Sequence, residues 1–135
     1  MSDDVRLRVL ARGVVARWQD GDAIIVPFRE VGMHGPDGDV DWLPLPHRCH
    51  DNVAAWVSVS PHHKAVRGYV LFPPNPLYGG ILVQAHTVVE MEEGAFDITP
   101  TGASQSYPFV RHTGTDEEFE LMAAAVRVVV PVKFG

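Results

Sequence analysis

The stretch ILVQAHTVVEMEEGAFDITP, residues 81–100, decides how the centre of this chain folds. Its first part, Ile81–Met91, is rich in β-branched and apolar side chains, which is typical of a long strand. A turn at Glu92–Gly94 and a second run at Ala95–Thr99 then predict an antiparallel hairpin. We therefore expect the chain to be built around this pair of strands.

The register of the hairpin decides whether His86 and Asp97 can meet. A loop of two or of four residues pairs Asp97 with Val88 and leaves His86 two positions along on the same face. That diagonal is ~7–8 Å between backbones, within reach of a hydrogen bond between the two side chains. A loop of three residues pairs Asp97 with Val89 and sends its carboxylate to the opposite face, unless a bulge intervenes.

The rest of the chain alternates helical and extended patterns. Apolar residues recur at helical spacing from Leu7 to Trp18, with Ser2 or Asp3 as the cap and Gly21 as the end. A second helix is predicted at His50–Val59 and a third after the capping box at Thr115–Glu118. The remaining predictions are strands at Ala23–Phe28, Ala65–Phe72 and Val128–Phe134, the last at an edge because of Pro131, and loops at residues 32–46 and 100–114. The predicted class is α+β, a central antiparallel sheet with flanking helices.

Length and charge narrow the classes of function. The 135 residues fit one domain, residues 1–135. The net charge of −6 argues against binding to nucleic acid or to an anionic membrane. One cysteine excludes an intrachain disulfide and a cysteine-rich zinc module. No secretory signal and no apolar run of membrane-spanning length is visible, so we expect a cytoplasmic protein without a cofactor.

The single cysteine, Cys49, stands at the start of the second predicted helix in the stretch PHRCHDNV, residues 46–53. The unpaired N–H groups and the dipole of a helix N-terminus favour the thiolate, the nucleophilic form of cysteine. The same N–H groups could stabilise an oxyanion on a substrate carbonyl. A cysteine nucleophile also needs a base, and His86 and Asp97 on the predicted hairpin are the candidates.

A helix with cysteine, then a strand with histidine, then a strand with aspartate resembles the papain-like cysteine hydrolase superfamily. VRGYVL at residues 66–71 and AHTVVEMEEGAFDITP at 85–100 are similar to the pattern of its transglutaminase-like and NlpC/P60-like branches, and the resemblance covers Cys49–Pro100. It implies a papain-like fold that acts on an amide or ester bond. It also implies Cys49 as nucleophile, His86 as base and Asp97 as the group that orients the imidazole. The same stretch resembles a group of bacterial proteins with a Cys-x-x-Asn-Val helix, for which the resemblance implies the fold more than an activity.

Four further residues are candidates for binding a small-molecule or peptide substrate. His47 and His50 flank Cys49 and are expected at the rim of the site. Trp42 and Tyr69 are candidates as aromatic walls, and a place in the core is the alternative for both.

Two other functions fit the same residues. His47, Cys49 and His50 have a spacing that permits zinc binding, with His86 or Asp97 as a further ligand. Alternatively, the domain is not catalytic and binds a ligand or partner in a remnant of the cleft. The papain-type glutamine before the cysteine is missing, with Leu43 in that region, and this favours the second alternative.

Overall fold

The computed structural model of the chain describes residues 2–100 and 103–133. Within these residues the chain forms an α+β fold around an antiparallel sheet. The helices are α1 (Asp3–Gln19), α2 (Cys49–Val59) and α3 (Asp116–Ala125), with a short 3₁₀ turn at Ala103–Gln105. The strands are β1 (Met33–His34), β2 (Val40–Trp42), β3 (Lys64–Asn75), β4 (Gly80–Met91), β5 (Gly94–Phe96), β6 (Phe109–Arg111) and β7 (Arg127–Pro131). The predicted class and the central antiparallel sheet are confirmed.

The long strand β4 organises the main sheet. One of its edges pairs with β3, which in turn pairs with β6. Two different strands share its other edge: β7 pairs with residues 80–84 and β5 with residues 89–91. Residues 85–88 lie between these two partners, so neither β5 nor β7 pairs with them. This gap in the strand pairing contains His86.

The two faces of the sheet bury different sets of residues. Ile81, Val83 and Ala85 of β4 pack in one cluster with residues of α1 and α3. On the other face Val88 packs with Val26, Val70 and Phe109. Because side chains alternate along a strand, His86 shares the face of Val88. A third cluster joins α2 to the end of β4 through Val53, Val89, Met91 and Ile98.

The helix caps form as predicted at both ends of the chain. The Ser2 side chain accepts a hydrogen bond from the backbone N–H of Val5, so it caps α1. The hydroxyl of Thr115 and the carboxylate of Glu118 form a reciprocal capping box at the start of α3.

The hairpin of β4 and β5 has a two-residue turn, Glu92–Glu93, and pairs Val89 with Phe96. This is the register that places Asp97 beyond β5 on the same side as His86, and the register with a three-residue loop is wrong.

Three of the sequence predictions need correction. Ala23–Phe28 is not a strand, because it makes only isolated bridges, from Ile24 to Phe109 and from Phe28 to Asp97. Pro27 within this segment has no N–H to donate to a ladder. The predicted loop at 32–46 contains the small sheet of β1 and β2, and the predicted loop at 100–114 contains β6.

The last strand is shorter than predicted. β7 ends at Pro131, and it pairs with β4 on one side only among the described residues, so its predicted edge position is confirmed. Phe134 lies outside the described residues. None of the helices described is long and apolar enough to cross a membrane.

Candidate active site

The N-terminus of α2 brings Cys49 close to Ala85 and His86, in the gap in strand pairing on β4. Arg48 is the N-cap residue and gives no side-chain cap, while its carbonyl accepts the N–H of Asn52. His47, just before the helix, has a φ of 62°, a left-handed conformation that is uncommon for a residue other than glycine. The sharp turn at His47 leads the chain into α2 with a half-buried Cys49 as its first residue.

His86 and Asp97 form a buried pair. His86 is 3% exposed and Asp97 is fully buried. Nε2 of His86 lies 2.9 Å from Oδ2 of Asp97, a hydrogen-bonding distance. With Nε2 bonded to Asp97, Nδ1 is the ring nitrogen that remains for a second partner.

The carboxylate of Asp97 is held by groups besides His86. The hydroxyl of Ser104 donates to Oδ2 at 2.6 Å, and the backbone N–H of Thr99 donates to Oδ1 at 2.9 Å. Its backbone N–H and carbonyl bond to Pro27 and Arg29, respectively. A buried carboxylate that accepts this many hydrogen bonds is fixed in position and orients the imidazole.

The thiol of Cys49 is acidic in this setting. Burial works to raise its pKa, but hydrogen bonds and positive charge from His50 and His86 outweigh burial and lower the pKa to about 6. The thiolate is therefore the main form of Cys49 at neutral pH.

The imidazole of His86 is correspondingly basic. Burial works to lower its pKa, but hydrogen bonds and negative charge from Asp97 and Cys49 raise the pKa to about 9. Between about pH 6 and pH 9 the two side chains form a thiolate–imidazolium pair.

A pocket of about 370 Å³ opens over this pair. Its volume falls within the range of sites that bind small molecules, ~300–1,000 Å³. The wall combines polar and apolar groups, among them Phe72, Gln84, Ala123 and Arg127. The pocket holds Cys49 and His86 together, so a ligand there would contact both.

The candidate substrate-binding residues divide into two pairs. His47 and His50 line the pocket beside Cys49, and Nδ1 of His50 lies 2.6 Å from the hydroxyl of Thr87. Trp42 stacks on Trp56 and is not among the residues that line this pocket.

Tyr69 requires a correction, because it is only 2% exposed and packs in the cluster on the face opposite to His86. Its hydroxyl hydrogen-bonds Nδ1 of His112 at 2.8 Å. It pairs with Ala85, so its side chain lies on the α1 and α3 side of the sheet.

Two residues that support the site, Asn52 and Ser104, were not among the predicted site residues, although a hydrogen bond from Asn52 to nearby backbone was expected. Asn52 is buried, and its amide bonds to the backbone N–H and carbonyl of Leu45 and to the hydroxyl of Thr99. It therefore ties α2 to the segment that follows Asp97. The position of Asn52 three residues after Cys49 is a signal in the sequence, whereas nothing there marks Ser104, since only the folded chain brings it to Asp97.

The described residues do not supply the set of ligands that the metal-binding alternative requires. No group of three or more His, Cys, Asp or Glu side chains within residues 2–100 and 103–133 is placed to hold a metal ion. His50 instead contacts Thr87 and the ring of Phe119.

No protein-family model, curated protein or solved structure matches this chain with significance.

Proposed function

We propose that the protein is a cysteine hydrolase or acyltransferase that acts on an amide or ester bond, with Cys49 as the nucleophile. The observation that carries this proposal is the position of His86, which bonds to buried Asp97 through Nε2 and interacts with the thiol of Cys49. Each of the three side chains then has the partner that a nucleophile, a base and an orienting group require.

The reaction begins with attack by the Cys49 thiolate on the substrate carbonyl carbon. A carbon–sulfur bond forms while an electron pair of the carbonyl moves to its oxygen. The tetrahedral intermediate then collapses and breaks the bond to the leaving nitrogen or oxygen, which takes the proton of the His86 imidazolium. The product of this half-reaction is a thioester on Cys49 and a free amine or alcohol.

The second half-reaction releases the acyl group. Water, or an amine in a transferase, attacks the thioester carbonyl while His86 accepts the proton of the attacking group. The carbon–sulfur bond breaks and restores the thiolate. Asp97 keeps the same tautomer and ring orientation through both steps and stabilises the imidazolium when it forms.

Two groups in the pocket are suited to the developing oxyanion. The backbone N–H of Cys49 belongs to the first turn of α2, whose N–H groups have no partner within the helix. The side chain of Gln84 lines the same pocket, and its Oε1 accepts a bond from Arg127, which leaves the amide Nε2 as a donor. Gln84 could thus supply the donor that the papain-type glutamine before the cysteine would give.

A papain-like fold belongs to the same proposal. Its support is the order of a helix that begins at Cys49, a strand with His86 and a hairpin partner that leads into Asp97. The β4–β3 pairing sets Gly68 opposite His86, within the motif that carries the resemblance.

The proposal is tested by acylation with p-nitrophenyl acetate and p-nitrophenyl butyrate. We expect a burst of nitrophenolate and an acyl group on Cys49 that mass spectrometry of the digested protein locates. Cys49→Ala should show neither. A protein whose thiol ionises near pH 6 but which accepts no acyl group from either ester would overturn the enzyme proposal and leave a ligand-binding domain.

A further inference from the structure

The pocket over Cys49 differs in charge from the protein as a whole. The chain carries 17 Asp and Glu against 11 Lys and Arg, yet no carboxylate is among the described residues that line the main pocket. Arg127 lines the pocket together with three histidines. Asp51 lies in an adjoining shallow depression, where it forms an ion pair with Arg48 at 3.6 Å. The charge of the Cys49 thiolate is offset by the His86 imidazolium beside it, so the Arg127 guanidinium is left to favour an anion in the main pocket.

The backbone places Arg127 at the pocket by a strained turn. Val126, between α3 and β7, has a φ of 67°, which is rare for a β-branched residue. Val126 and His47 are the residues other than glycine with positive φ in the described chain, and both line this pocket. Strain of this kind costs about 1–3 kcal/mol per residue and persists where the surrounding structure enforces it.

Hydrogen bonds hold Val126 and Arg127 against β4. The carbonyl of Val126 accepts the N–H of Ala85 at 3.2 Å. Arg127 pairs with Gln84 in the register of β7 and β4, and its Nε–H donates to Oε1 of Gln84 at 3.1 Å. A guanidinium carries five N–H donors in a planar fork, so this bond leaves donors for a ligand. Gln84 is two positions from His86, on the same face of β4.

We propose that Arg127 is a specificity-determining residue that selects acyl substrates carrying a carboxylate. This inference rests on the proposed function, because it concerns the same pocket and the same nucleophile. The guanidinium would bind the carboxylate of the substrate while the carbonyl to be attacked lies at Cys49.

The experiment compares two alkylating reagents of similar size, iodoacetate and iodoacetamide, on Cys49. The measured quantity is the ratio of their rate constants, relative to the same ratio for free cysteine. We expect iodoacetate to be favoured by about threefold to tenfold, the effect of one positive charge near the reagent carboxylate. The preference should fall as salt is added, because ions screen the attraction.

Three variants identify the charge responsible. Arg127→Gln should lower the preference for iodoacetate to the part that the His86 imidazolium supplies, and Arg127→Lys should retain more of it. Arg12→Gln removes the same charge from an exposed position on α1 and should leave the ratio unchanged. Circular dichroism shows whether each variant is folded.

The outcomes separate this inference from the proposed function. A thiol that reacts with both reagents near pH 6.5 but shows no preference, or one that Arg127→Gln leaves intact, would overturn the role of Arg127 alone. A thiol that reacts with both only as fast as free cysteine would overturn the activation of Cys49, and with it the enzyme proposal.

Discussion

His86 and His112 are both hydrogen-bonded at the sheet but lie toward its opposite faces. His112 packs against Phe119 of α3, and its two ring nitrogens bond to the hydroxyl of Tyr69 and the carbonyl of Thr115. His86 also has one nitrogen fixed, by Asp97, but its other partner is a thiol that opens on a pocket.

The difference shows what turns a buried histidine into a candidate base. The partners of His112 are the hydroxyl of Tyr69 on β3 and the carbonyl of Thr115 at the start of α3, so the ring joins these two elements. The partners of His86 are a carboxylate and a thiol, which together favour the imidazolium. The same residue type therefore serves packing on one face of the sheet and, in the proposed function, proton transfer on the other.

The largest expected effect comes from replacing each histidine in turn. His86→Gln should slow acylation of Cys49 by p-nitrophenyl acetate by about 10²–10⁴-fold, the usual contribution of a general base. It should also move the midpoint of the pH–alkylation profile upward from about 6, because a positive charge beside the thiolate is lost. His112→Gln should leave that midpoint in place. Equal shifts of the midpoint in the two variants would contradict the different roles of the two histidines.

The next effect concerns the carboxylate that orients His86. Asp97→Asn should lower the pKa of His86 from about 9, since removal of the negative charge disfavours the imidazolium. As pH rises, Asp97→Asn should therefore lose the thiolate–imidazolium pair at a lower pH than the unchanged protein does. Acylation should slow by about 10²-fold because the ring loses its fixed tautomer.

NMR titration of the His86 ring in the Asp97→Asn variant measures this shift. Tyr69→Phe is the matched change on the other face, since it removes the hydroxyl that bonds to His112. It should cost about 1 kcal/mol of stability and leave the titration of His86 unchanged. An unshifted His86 in Asp97→Asn would show that the carboxylate does not govern the ring.

Asn52 links α2 to the segment after Asp97, so its replacement tests the support of the site. Asn52→Ala should lower the free energy of unfolding by about 2–4 kcal/mol, because Leu45 and Thr99 lose buried hydrogen-bond partners. Urea denaturation measures the loss. Ser58→Ala removes an exposed bond to the carbonyl of Ala55 within the same helix and should change stability by less than about 0.5 kcal/mol. Equal losses of stability in the two variants would show that Asn52 does not hold α2 to the segment after Asp97.

The smallest expected effect is on stability, and it has opposite signs at two glycines. A Cβ on Gly68, opposite His86, would collide with the Val110 carbonyl oxygen and the Phe109 ring, which lies edge-on to His86. Gly68→Ala should cost about 1–3 kcal/mol through overpacking. A Cβ on Gly13 in α1 meets no atom within 4 Å, so Gly13→Ala should stabilise the helix by about 0.5–1 kcal/mol. Thermal unfolding of both variants checks the opposite signs.

Much of the framework follows from local patterns in the sequence. The capping box at Thr115, the cap at Ser2 and the apolar run of β4 depend on neighbours along the chain, and all were predictable. The register of β4 and β5 was open between two alternatives because the length of the turn decides it.

The parts that escaped prediction depend on contacts between distant segments. β6 is only three residues long and forms because Gly68–Val70 of β3 offers an edge. Ser104 reaches Asp97 through a turn that has no periodic pattern, and Arg127 reaches Gln84 only through the pairing of β7 with β4. Tyr69 is a candidate aromatic wall of the site on its residue type alone, yet alternation along β3 directs its side chain to the other face.

The most direct test of the account is the ionisation of Cys49, followed by the ultraviolet absorbance of the thiolate with Cys49→Ser as the reference. A thiolate–imidazolium pair predicts a midpoint at about pH 6, with a second change at about pH 9 as His86 loses its proton. A single midpoint at about 8.5, the ordinary value for cysteine, would contradict it.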